Sequence, residues 1–153
     1  YDNGCGVVLT GNAESGRKQL KNLTIAITEG PAAIEYDRTL IWDAALPIQV
    51  AMLPVGFSLL DKWQVCIPLF DYGTRAPGVG DETDRERTRA IIRDLRVPLY
   101  EPRLMFVKDC EEGHHLVRLW QQEMAKGDYR LAFARALYQV RPLICALPAD
   151  WHG

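Results

Sequence analysis

Several things are scarce or missing in this 153-residue chain, and each absence closes off a class of function. There is no run of about 18 apolar residues, so no transmembrane helix and no membrane partner are expected. The longest apolar-rich stretch, "LPIQVAMLPVGFSLL", is broken by Pro47, Pro54 and Gly56 and reads as strands and turns. There is no C-x-x-C pair: Cys5, Cys66, Cys110 and Cys145 stand far apart, and their spacing fits no zinc ribbon or finger. Serine occurs only at Ser15 and Ser58, and neither lies in the G-x-S-x-G elbow of a serine nucleophile. Basic charge is not in surplus. The formal net charge is −2, which gives no global field toward nucleic acid or an anionic surface. Internal repeats and low-complexity segments are also missing, which argues against a solenoid or a disordered linker.

What is present is ordinary for a folded domain: 48% hydrophobic and 25% charged residues, at a length that can bury a core. Arginine outnumbers lysine by 13 to 5, the residue suited to bidentate contact with phosphate or carboxylate. No signal-peptide pattern is visible, but the chain starts at Tyr1 rather than Met, so the compartment stays open. A cytoplasmic protein with reduced thiols is the expectation, and a secreted, disulfide-bonded form is the alternative.

Residues 1–22 are expected to hold a short strand at "VVLT" and otherwise a loop or loosely ordered arm. "LTIAIT" (23–28) alternates like a strand, Ile41-Trp42 marks the centre of another, and "KWQVCIPLFDY" (62–72) reads as a strand that lies at an edge or bends at Pro68. "RLMFV" (103–107) is apolar enough to be buried on both faces. The last third turns helical. Leu116, Leu119, Trp120, Glu123 and Met124 follow a helical period, Gly127 fits a C-cap, and Asp128 fits the N-cap of a second helix ended by Pro142. These readings add up to a single α+β domain over residues 1–153. It has a small mixed or antiparallel sheet, one packed helix at 83–95 and a C-terminal helical hairpin at 114–141.

The strongest lead to chemistry is "RAPGVGDETDRERTRAIIRDL" (75–95). Thr83 and Glu86 form a T-x-x-E capping box, and Asp81, Glu82 and Asp84 suit a helix start. Ile91, Ile92 and Leu95 give an apolar face, while Arg85, Arg89 and Arg93 stack at i, i+4, i+8 as a candidate row for a partner or phosphate. Seven arginines and six acids between residues 75 and 103 leave this region nearly neutral, where a nucleic-acid stripe would carry a surplus. Downstream, Cys110 and His114 sit four apart and make a two-ligand metal candidate without a matching second pair. Trp151, in the tail "PADWHG", is the one tryptophan outside the core pattern: it is read either as an exposed partner anchor or as tucked back onto the domain.

Arg75, Gly78 and Gly80 spell R-x-x-G-x-G between a strand candidate and a helix. This resembles the pyrophosphate loop of the acetyl-CoA-dependent N-acetyltransferases, whose pattern is Q/R-x-x-G-x-G/A. The resemblance implies acetyl-CoA as cofactor, held at Arg75, Gly78 and Gly80 by backbone N–H groups and a helix N-terminus. The competing reading is a Pro-Gly turn leading into a capped helix. Three function classes follow. The first is a small binding or assembly protein of bacterial or mobile-element type, without its own catalytic centre and with a protein partner or a second copy of itself. The second is the acyl-CoA-dependent transferase. The third is a nucleic-acid-contacting accessory protein using the arginine row.

Overall fold

The computed structural model describes residues 4–11, 13–20, 23–28, 32–71, 73 and 78–152. Its centre is a six-stranded mixed sheet made of β1 (Cys5–Thr10), β2 (Thr24–Ile27), β3 (Arg38–Asp43), β4 (Val65–Pro68), β5 (Leu104–Lys108) and β6 (Ile144–Leu147). The strand order is β2-β1-β3-β5-β4-β6. β1 runs parallel to both β2 and β3, β5 is antiparallel to β3 and β4, and β6 is parallel to β4. Five α-helices accompany it: α1 (Ala13–Gln19), α2 (Leu53–Leu59), α3 (Glu82–Ile92), α4 (Glu111–Met124) and α5 (Tyr129–Val140). The expected α+β class, with helices gathered toward the C-terminus, is what the chain forms. No helix among the described residues is long and apolar enough to cross a membrane.

The sheet is buried on both faces because its central strands are apolar at consecutive positions. Leu9, Leu40, Trp42, Cys66, Leu104 and Phe106 point to one face, where Leu53, Phe57 and Leu60 of the α2 region and Trp151 cover them. Val8, Ile41, Val65, Ile67, Met105 and Val107 point to the other, under Leu116, Val117 and Trp120 of α4 and Phe133, Ala136 and Leu137 of α5. A fully buried side chain of this size contributes about 1.5–3 kcal/mol, so these two layers supply the main driving force for folding. α3 packs outside α5, beside a small cluster of Val79, Leu95, Leu99 and Leu131.

Four expectations need correction. The first concerns the region of the arm and of "LPIQVAMLPVGFSLL", which contains α1 and α2 as well as strand. Pro54 occupies the first turn of α2, where its missing N–H costs no bond, and Gly56 admits the Phe106 ring, which would lie 2.3 Å from a Cβ there. The second concerns β4, which is no edge strand. β6, hidden in the apolar tail "PLICALP", pairs along it from Val65 to Pro68. Pro68 is tolerated as the last residue of the strand, and its carbonyl accepts the Glu101 N–H at 2.9 Å.

The third concerns the start of α3, which is capped by Asp81 rather than by a Thr83 box: the Asp81 carboxylate accepts the Asp84 N–H at 2.8 Å. Only Asp84 and Thr88 of α3 are buried, and Ile91 and Ile92 are half-buried, so the face it turns inward is polar. The fourth concerns the α4–α5 joint. α4 begins at Glu111 and runs through Gly113, and its C-cap is Ala125, not Gly127. Asp128 does cap α5, accepting the N–H groups of Arg130 at 2.8 Å and Leu131 at 3.4 Å.

Candidate functional site

Strand register builds the site. Thr10 pairs with Asp43 across β1 and β3, and the Asp43 N–H reaches the Arg103 carbonyl at 2.8 Å just before β5. Thr10, Asp43 and Arg103 therefore form one polar row across three strands. The row lies directly beyond the apolar row Val8, Ile41 and Met105 on the same face, because side chains two apart along a strand share a face. The second half of α4 and the first residue of α5 overhang this row. The half-open cleft holds about 360 Å³. Ala32, Ile41, Trp120 and Met124 make its apolar wall, and Thr10, Asp43, Arg103, Gln121 and Tyr129 its polar one.

Four of these five polar groups are held in place. Glu101 is fully buried and accepts three hydrogen bonds from Arg103, from its N–H at 3.2 Å, Nε at 2.9 Å and Nη2 at 3.1 Å. Glu101 also accepts the Tyr129 hydroxyl at 3.1 Å. The Arg103 guanidinium lies 4.8 Å from the centre of the Tyr129 ring, a cation–π contact that fixes both groups. Burial, then the neighbouring Glu101 charge, pushes the Tyr129 phenol up to about 12, so it stays protonated at neutral pH. The Asp43 Oδ1 accepts the Ala45 N–H at 2.9 Å, which aims the carboxylate. Gly11, at φ +75°, follows β1 so closely that a Cβ would stand 2.6 Å from that same oxygen. Gln121 donates to the Ala32 carbonyl and closes one side of the cleft.

Asp43 and Arg103 carry opposite charges on adjacent strands and line one cleft, yet they make no ion pair with each other among the described residues. No described residue donates to the Asp43 Oδ2 or accepts from the Arg103 Nη1. The site thus offers one acceptor, one charged donor and a Thr10 hydroxyl beside an apolar wall.

The residues singled out from sequence fall elsewhere. Arg75 lies outside the described residues. Gly78 is exposed, and Gly80 takes φ +73° with Leu131 2.7 Å and the Asp84 carboxylate 2.9 Å from where a Cβ would stand. Negative charge therefore sits beside a glycine that the acetyltransferase resemblance assigns to a pyrophosphate. Arg85 folds back onto its own loop, donating to the Gly80 carbonyl at 2.6 Å and to Glu82 at 3.1 Å. Arg89 and Arg93 are exposed, and Arg93 is the C-cap of α3 at φ +74° and ψ −43°. Trp151 is not an exposed anchor: it tucks back onto the domain, buried edge-on against Phe106 with ring centres 6.1 Å apart. Cys110 caps α4 through its sulfur, and His114 is bound to Asp109 at 2.6 Å, so the two are occupied separately. No cluster of three metal-ligating side chains occurs among the described residues.

Sequence reasoning missed a second polar centre entirely. Arg135 has no exposed surface and sits between Asp84 at 2.6 Å and Glu123 at 2.7 Å, with the Thr88 hydroxyl at 2.8 Å. Asp84 also accepts the Asp128 N–H at 2.8 Å. Gly127 is needed for that approach, since a Cβ there would lie 2.4 Å from the Asp84 carboxylate. Burial raises the Glu123 carboxyl, but hydrogen bonds from Arg135 and Lys126 outweigh it and hold the group below its ordinary value of 4.5. Every polar atom of this centre serves the joint between α3, α4 and α5; the Asp43–Arg103 cleft, which sets charged side chains against an apolar wall, is the candidate site. A faint signal for the cleft does exist in the sequence: "RTLIWD" ends, and "RLMFV" begins, with a charge abutting a buried strand.

A scan against protein-family models finds no match, and a search of curated proteins finds none either.

Proposed function

We propose that this chain is a small binding protein that takes a compact organic ligand into the cleft bounded by Asp43, Arg103 and Tyr129. The observation that carries the reading is the unpaired meeting of Asp43 and Arg103 in one cleft walled by Ile41, Trp120 and Met124. Opposite charges this close in register pair unless something intervenes or their anchors hold them apart. Here Glu101 anchors Arg103 and the Ala45 N–H anchors Asp43. Polar groups held by neighbours of their own are preorganised, so a ligand does not spend binding energy ordering them. The volume, about 360 Å³, is at the small end of ligand pockets.

The test is chemical-shift mapping of a mixed fragment set on the wild type and on Met124→Trp. Met124 is 41% exposed, so an indole there fills the cleft mouth without entering the core. Ligands should move the amides of Thr10, Asp43, Gln121 and Tyr129 in the wild type and lose that effect in the variant. Fragments that shift none of these amides, or that bind Met124→Trp equally well, defeat the reading.

A further inference from the structure

Charge bookkeeping around the cleft narrows what it takes. Arg103 is matched by the buried Glu101 at 2.9 Å, and Arg130, stacked on the outer side of Tyr129, is matched by Asp128 at 2.8 Å. Those two pairs cancel. Asp43 is left over: it makes no ion pair among the described residues, and the positive charge that it feels, on Arg103, is already matched by Glu101. The charges around the cleft therefore sum to a single negative one, on Asp43, facing an apolar wall, and the net charge disfavours anions.

We propose that the cleft selects small organic amines with an aromatic or branched aliphatic body, the ammonium group sitting at Asp43 and the body against Ile41, Trp120 and Met124. This rests on the binding reading above and adds the ligand class. The chemistry is complementary on both counts. An ammonium donates to the Asp43 Oδ2, which no described residue uses, and supplies the missing positive charge. The Thr10 hydroxyl, next to Asp43 in register, is placed to accept a second N–H of the same ammonium. The body replaces water on side chains that are otherwise apolar and partly open, Met124 being 41% exposed. An acid of the same shape would set its carboxylate beside Asp43, and the Arg103 charge that could compensate is already shared with Glu101.

Matched pairs of probes test this on the whole chain: phenethylamine against phenylacetate, isoamylamine against isovalerate, and tryptamine against indole-3-acetate, each titrated by chemical shift or calorimetry. The expected result is that the amine of at least one pair binds about ten- to hundredfold tighter than its acid, the range of a charge-assisted hydrogen bond. Asp43→Asn, which keeps the Oδ1 acceptor for Ala45, should weaken amine binding by a similar factor. Met124→Lys should abolish it without touching Asp43, and this variant decides the matter if Asp43→Asn fails to fold. The proposal is overturned if no amine binds at up to about 10 mM, if acids bind as well as amines, or if both variants bind amines like the wild type. Other fragments shifting the cleft amides while amines do not would sink this ligand class and leave the binding reading standing. No fragment of any class shifting them would remove both.

Discussion

Replacing Arg135 with Met would test the buried polar centre directly. Arg135 has no exposed side-chain surface and answers two carboxylates, Asp84 and Glu123, that are themselves 3% and 8% exposed. Met keeps much of the stem and removes the charge, so the loss is electrostatic rather than a large cavity. Removing one partner from a buried ion pair costs about 3–5 kcal/mol, because the partner is left as an uncompensated buried charge. Each carboxylate retains partners here, Asp84 the Asp128 N–H at 2.8 Å and the Arg87 guanidinium at 3.8 Å, and Glu123 the Lys126 ammonium at 3.3 Å. The lower end, about 3 kcal/mol, is therefore expected, or roughly 6–12 °C in Tm for a domain of this length. Urea unfolding followed by tryptophan fluorescence and far-UV circular dichroism would measure it at pH 7.

The pH dependence sharpens the test. The folded Glu123 carboxyl lies below its ordinary 4.5, so the stability that it contributes is fully present above that value. That contribution is lost as the pH falls through the lower, folded value. The gap between wild type and Arg135→Met should then shrink below about pH 4.5. Adding Asp84→Asn and Glu123→Gln to Arg135→Met should recover most of the loss, since the triple variant buries no net charge. A single variant within about 1 kcal/mol of wild type at pH 7, or a gap that widens in acid, would refute the assignment of this centre as the clamp on α3.

Three further outcomes follow from the same geometry. Gly127→Ala places a methyl group 2.4 Å from the Asp84 carboxylate, and should destabilise by about 1–3 kcal/mol in a urea titration. Asp81→Ala should cost about 1 kcal/mol through the lost N-cap, while Thr83→Ala, outside that bond, should cost much less; equal losses would restore the capping box. Burial, then the adjacent Cys145, pushes the Cys66 thiol up to about 12, so timed alkylation at pH 8 read by mass spectrometry should label the half-buried Cys110 and Cys145 well before Cys66.

Local pattern made part of the fold legible. Apolar runs marked β3, β4 and β5 as strands, with β5 buried on both faces, and the helical period with Asp128 located the hairpin of α4 and α5. Pattern failed where local signals pointed the wrong way. Pro54 and Gly56 look like breakers, but one sits in a first turn and the other makes room for Phe106. The four residues of β6 have no signature beyond being apolar, and only the waiting edge of β4 makes them a strand. The arginine row of α3 drew attention because it is dense, yet Arg85 is spent on its own loop.

The candidate site was hardly legible, because its parts are ordinary residues far apart in the chain. The sequence by itself determined that β3 and β5 extend, that α4 coils and where α5 begins, since these depend on φ/ψ preference, side-chain period and a cap within three residues. Tertiary structure decided what the charges do. Asp43 and Arg103 meet only because β3 and β5 pair antiparallel, and Arg135 meets Asp84 only because α3 lies across α5. A charge's energy depends on what faces it in three dimensions and how much water remains, and neither quantity is written in its neighbours along the chain.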